Sequence, residues 1–177
     1  TYGRIWGGGL RIFCGGYDTV MEDLRGQKPK FFLDAMLGRL NKWLRVLGYD
    51  AICRRILDQD PAPPHLKDGR ILLTRHRKSA QRFERVLLLN GNHVENQLAE
   101  LRSKLGIDPV RSQWFSRCLV CNTLLTEAPA EKIRENVPEH VYHENILKIR
   151  FCRSCGRCYW PGTHRNRMEE QLRQWGF

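Results

Sequence analysis

The chain has 177 residues, 41% of them apolar, enough for one ordinary domain or for a domain plus a small module with a core of its own. It has no apolar run of the roughly 18 residues that a membrane span requires, and its first thirty residues show no charged-then-apolar export pattern. Thirty Lys and Arg against 19 Asp and Glu leave a formal charge of +11, which points to a polyanionic partner, RNA or DNA first, without separating binding from cutting.

Residues 1–30 read as a Gly-rich extended arm. Gly3, Gly7, Gly8, Gly9, Gly15, Gly16 and Gly26 make it costly to order alone. Tyr2, Ile5, Trp6, Leu10, Ile12, Phe13 and Tyr17 are more apolar than a solvated linker needs, so the arm is expected to order on protein partners or on its own domain. A start at Thr1 is compatible with a processed chain.

Residues 31–110 alternate strand and helix signals. Phe31–Leu33 is a short apolar run ending at Asp34. Leu37, Leu40, Leu44 and Leu47 then recur at helical spacing, and Gly48 is placed to end that helix. Ala51–Cys53 is a weak second strand. Ile71–Thr74 is a clearer one, entered through Asp68-Gly69, and Val86–Leu89 is left through Asn90-Gly91. Val94, Leu98, Leu101 and Leu105 mark a second helix, with Asn92 as its expected N-cap and Gly106 just beyond its end. Such alternation predicts an α/β domain whose parallel sheet is flanked by helices.

Residues 111–164 change character. Cys118 and Cys121 form one C-x-x-C turn and Cys152 and Cys155 another, with thirty residues between them. Each turn offers two thiolates, and two turns close a tetrahedral zinc site with no open position, so a small zinc ribbon is expected, structural and not catalytic. Cys158 extends the second turn and stands as an alternative fourth ligand. Paired knuckles and an odd total of seven cysteines fit metal binding in a reducing compartment better than a disulfide framework. Residues 165–177 form a last helix, with Met168, Leu172 and Trp175 on one side.

Two sets of charged residues carry further chemistry. Asp34 follows a strand directly, Asp50 adjoins the next, and Asp58 and Asp60 lie in the loop beyond. Carboxylates at the carboxyl ends of parallel strands converge on one crevice and suit magnesium or manganese, which can activate water for phosphodiester cleavage. Arg39, Lys42 and Arg45 lie on an arc opposite much of the leucine stripe, and Arg75, Arg77 and Lys78 follow the third strand. Arg157 and Arg165 load the ribbon and tail beside Trp160 and His164. These clusters predict a phosphate-binding surface with aromatics available for stacking.

The segments FFLDAMLGRLNKWLRVLGYDA, GRILLTRH, ENQLAEL, RCLVCNTLL, VPEHVY and FCRSCGRCYWPGTH, in that order, resemble the Mut-seven C-terminal ribonuclease family over about residues 30–170. The resemblance implies a PIN-like domain followed by a zinc ribbon, RNA as the substrate class, and a divalent metal in active members. It places Asp34 and Asp50 at the family's first acidic positions, Asp58 or Asp60 near the next, and Cys118, Cys121, Cys152 and Cys155 at the ribbon ligands. Gly162-Thr163-His164 matches its Gly-Ser-His-like element. Two departures matter. The family's third strand ends Leu-Thr-Arg-Asp, whereas His76 stands here, and neutral imidazole is a poor magnesium ligand. Pro61, Pro63 and Pro64 also break the segment where a helix is expected.

Three readings follow. The first is an RNA-binding member with a degenerate active site, held in a ribonucleoprotein such as a ribosome and contacting ribosomal or another structured RNA. The second is an active metal-dependent endoribonuclease using Asp34, Asp50, Asp58 or Asp60, and His76. The third is a zinc-ribbon adaptor for protein. The expected setting is intracellular, in an organelle matrix such as the mitochondrion or in the cytoplasm.

Overall fold

The structure is a computed structural model that describes residues 28–56, 66 and 68–177. Most of the expected arm, the acids Asp58 and Asp60, and the proline-broken stretch lie outside the described residues. The contacts divide the chain into two units. One holds the described residues through Asn41 with Ala51–Ile107, and the other holds Lys42–Asp50 with Asp108–Phe177. A single cut near residue 110 was the sequence expectation. Instead the second half of the leucine helix and the Gly-Tyr-Asp element group with the ribbon.

The first unit is built on strands β1 (Lys30–Asp34), β2 (Asp50–Arg54), β3 (Ile71–Thr74) and β4 (Val86–Leu88), in the order β2-β1-β3-β4. Strands β1 and β3 pair in parallel with Phe32 opposite Leu72, and β3 pairs in parallel with β4, placing Leu72 opposite Val86. Phe31, Phe32, Leu33 and all of Ile71–Thr74 are buried, so neither face of the sheet centre meets water. That is why these strands read as unbroken apolar runs and not as alternating ones. On one face Phe32, Leu72 and Val86 form a cluster joined by Ile52, Ile56, Leu66, Ala80 and Phe83.

A 3-10 turn, Ala35–Leu37, leads from β1 into helix α1 (Gly38–Val46), and a short helix α2 (Arg77–Arg82) follows β3. Helix α3 (Val94–Leu105) buries Leu98, Leu101 and Leu105, and Gly106 ends it in the left-handed region at φ +59°. Its N-cap is His93, one residue beyond the expected Asn92. The Asn92 side chain is committed elsewhere: its Oδ1 accepts from the Arg75 guanidinium.

Glu100 ties the turn before α3 to the helix. Its carboxylate accepts from the Gly91 N–H at 2.6 Å, from the Asn90 N–H at 3.1 Å, and from Lys104 Nζ at 2.9 Å. Burial alone would raise this carboxyl, but the bonds from Lys104, Gly91 and Asn90 outweigh it and hold it below its ordinary value. A lowered folded value means stabilisation that is complete above the unfolded value and is lost as pH falls through the folded one. Glu100→Gln is therefore expected to cost about 1 kcal/mol at neutral pH. The gap in Tm between parent and variant should close as the pH is lowered through and below the ordinary carboxylate range; a gap that stays constant into acid would refute this assignment.

The second unit contains the C-terminal part of α1 and the ribbon. Gly48 ends α1 at φ +84°, with its N–H on Arg45 O at 3.0 Å and the Tyr49 N–H on Leu44 O at 2.9 Å, the paired bonds of a Schellman motif. A Cβ on Gly48 would lie 2.5 Å from Gln113 O, so glycine is required there twice over. Strands β5 (Thr126–Glu127), β6 (Arg150–Phe151) and β7 (Cys158–Tyr159) form a small antiparallel sheet in the order β5-β6-β7. Two helices between its strands, α4 (Ala130–Asn136) and α5 (Glu139–Asn145), were not expected from the sequence. They begin after Pro129 and Pro138 and bury Ile133, Val137 and Val141 with Ile149. Helix α6 (Thr163–Gln174) closes the unit with Met168 and Leu172 buried, and Trp175 meets Trp43 edge-on at 4.6 Å. Among the described residues no helix is long and apolar enough to cross a membrane.

Candidate functional site

The two cysteine turns adopt one backbone form. In the first, the Cys118 N–H donates to Thr123 O and the Asn122 N–H to Cys118 O. In the second, the Cys152 N–H donates to Arg157 O and the Gly156 N–H to Cys152 O. The residue after each second cysteine sits in the left-handed region, Asn122 at φ +72° and Gly156 at φ +74°. Glycine and asparagine are the residues that enter that region at least cost.

The turns bring the Sγ atoms of Cys118, Cys121, Cys152 and Cys155 within 4.8 Å of one another. Cys118 lies 3.5 Å from Cys155 and Cys121 3.3 Å from Cys152. Zinc–sulfur bonds of about 2.3 Å in a tetrahedron put sulfurs about 3.8 Å apart, so four soft donors at this spacing fit the ion. Burial raises Cys152, whereas at Cys121 the hydrogen bonds from Thr123 and the neighbouring thiols overcome burial and lower it. Cys158 does not join the cluster. It packs against the Ile133, Val137, Val141 and Ile149 core, and burial raises its thiol.

Residues of the second unit buttress the first knuckle from the side of α1. The buried Arg45 guanidinium donates to Val120 O at 2.7 Å and to Leu119 O at 3.0 Å. Arg117 Nε reaches Gly48 O at 3.3 Å, and the Phe115 N–H donates to Val46 O at 2.7 Å. Asn122 Nδ2 donates to Asp50 Oδ1 at 2.7 Å. Two of the expected site residues thus have structural partners: Arg45 clamps carbonyls of the first cysteine turn, and one oxygen of the Asp50 carboxylate holds Asn122. Both partners lie more than 70 residues away in sequence, beyond the reach of local pattern.

At the carboxyl end of the large sheet, Asp34 is buried and its Oδ2 accepts from Thr74 Oγ1 at 3.4 Å. The His76 N–H donates to the same Thr74 oxygen at 3.0 Å, and His76 Nδ1 lies 3.0 Å from Ser79 Oγ. Beside these strand ends lies a concavity of about 330 Å³, lined by Arg39, Arg75, Asn92 and His93 with Met36 and Val94. Arg39, Arg75, Arg77 and Lys78 are exposed in this unit, and Lys42 is exposed in the other. Arg157 and His164 are exposed on the second unit, while Trp160 is half-buried against the Ile133 cluster. Arg165 lies over the Phe115 ring at 4.6 Å and pairs with Glu169 at 2.8 Å, which neutralises much of its charge locally. Among the described residues, the four thiols are the one group of three or more metal-ligating side chains drawn together.

The fold is thus an α/β unit built on a parallel sheet, together with a ribbon whose four clustered cysteines can hold a metal ion. The model of the Mut7-C RNAse domain matches residues 29–172, and the chain belongs to that family. Comparison with curated proteins and with solved structures returned no match.

Proposed function

We propose that this chain is an RNA-binding member of the family with a degenerate active site, working as a component of a ribonucleoprotein such as a ribosome. The observation that carries the reading is the concavity at the strand ends, where Arg39 and Arg75 stand exposed on the rim. Residues 28–107 contain sixteen Lys and Arg against eight Asp and Glu, so most of the chain's excess charge falls in this segment. Guanidinium groups around a concave site are suited to phosphate, which they can engage through two parallel N–H bonds.

The catalytic machinery is thinner. Magnesium and manganese take hard oxygen donors. At the carboxyl ends of β1, β3 and β4, the carboxylates among the described residues are Asp34 and Glu100, and Glu100 is taken up by the Asn90 and Gly91 N–H groups and by Lys104. His76 occupies the position where the family pattern has an acid, and its Nδ1 faces Ser79. Asp50 is engaged by Asn122. Zinc at the four cysteines would cross-link the ribbon and take no part in phosphate chemistry. Ordering of the N-terminal arm on protein partners, and residence in an organelle matrix or the cytoplasm, belong to the same proposal.

A second reading, an active endoribonuclease, draws on the buried Asp34–Thr74 pair, which would serve equally well as one side of a cation site. The two are separated by incubating parent protein and Asp34→Asn with structured and unstructured RNA in magnesium and in manganese. We expect both proteins to bind alike and leave the RNA intact. Cleavage by the parent that the substitution abolishes would establish the second reading.

A further inference from the structure

The Tyr159 hydroxyl lies 3.0 Å from Cys118 Sγ, and neither the sequence pattern nor the family assignment gives it a task. A zinc-bound thiolate has no proton, so with metal present the phenol must donate to the sulfur.

Four thiolates on one zinc ion carry a net charge of two minus. Sulfur lone pairs left without a hydrogen-bond donor are nucleophilic, and attack by an electrophile or a proton there loosens the metal. Groups that donate to metal ligands tune affinity and reactivity as strongly as some ligands do. We propose that Tyr159 is a positioning residue of the zinc site, donating a hydrogen bond to one thiolate so that Cys118 holds the metal and stays unreactive. It depends on zinc occupying the cluster, and not on whether the chain binds or cuts RNA.

The test uses the full zinc-loaded chain and Tyr159→Phe, which keeps the ring and removes the hydroxyl. Two quantities are followed: zinc transfer to a chromogenic chelator, and the order in which iodoacetamide alkylates the four cysteines, mapped by mass spectrometry. Loss of the donor is expected to speed zinc transfer by about tenfold, with alkylation quickening first at Cys118. A purely structural role would instead expose all four thiols together, and that pattern, or rates unchanged in the variant, overturns the proposal. If Y159F fails to fold, the parent chain decides the matter: Cys118 and Cys152 are equally buried, so Cys118, with the phenol on its sulfur, should be alkylated after Cys152, and the reverse order overturns the proposal.

Discussion

Stripping the metal is expected to unfold the ribbon, the largest single effect foreseen for this chain. Its three strands are two residues long each, and its apolar centre is Ile133, Val137, Val141 and Ile149 with a few half-buried neighbours. So small a core cannot offset the conformational entropy of the segment that surrounds it. A structural zinc ion in such a module contributes on the order of 10 kcal/mol to folding. With it go the bonds by which Arg45 and Asp50 grip the first knuckle, since Leu119, Val120 and Asn122 hold their places only while the turn is closed. Metal analysis should find about one zinc per chain. Chelation, or Cys118→Ser, should abolish the ordered environment of Trp114 and Trp160 in near-ultraviolet circular dichroism. Acid should do the same, because the ligands bind as thiolates and protons compete for them. A ribbon that keeps its spectrum without metal would refute the zinc assignment.

Reversing the charge at the strand-end concavity should have the largest effect on function. Arg39 and Arg75 are both exposed, so Arg39→Glu with Arg75→Glu is not expected to damage the core; at Arg75 it sacrifices one surface bond to Asn92. If each guanidinium meets a phosphate, the pair of reversals should weaken RNA affinity by at least about tenfold, with an unchanged melting curve. Equal binding by parent and double variant would show that the RNA lies elsewhere.

The parts of the fold most visible in the sequence were those set by local pattern. Phe31–Leu33, Ile71–Thr74 and Val86–Leu89 declared themselves because a strand with little or no face in water is a continuous apolar run. Gly48 and Gly106 lie where the helices end because those positions need positive φ. The four thiols could be read from spacing because a C-x-x-C turn brings its own two ligands together. Helices α4 and α5 carried a signal that went unread, namely Ile133, Val137 and Val141 four residues apart, with prolines at both starts. The tertiary roles of Arg45 and Asp50 carried none. An arginine opposite a leucine stripe looks solvated until another segment covers that arc, and nothing near Asp50 in the sequence announces that Asn122 will reach one of its oxygens. Tyr159 likewise needed the fold, since Cys118 lies 41 residues before it.

The account rests on a cationic surface that holds RNA by its phosphates, and the most direct measurement is the salt dependence of RNA binding by the zinc-loaded chain. The logarithm of the association constant plotted against that of salt concentration should fall steeply and in a straight line, as counterions leave the neutralised phosphates. The Arg39→Glu, Arg75→Glu variant should give a line shallower by about two. A flat line for the parent, or an equal slope in both proteins, would contradict the assignment and favour a protein partner for this surface.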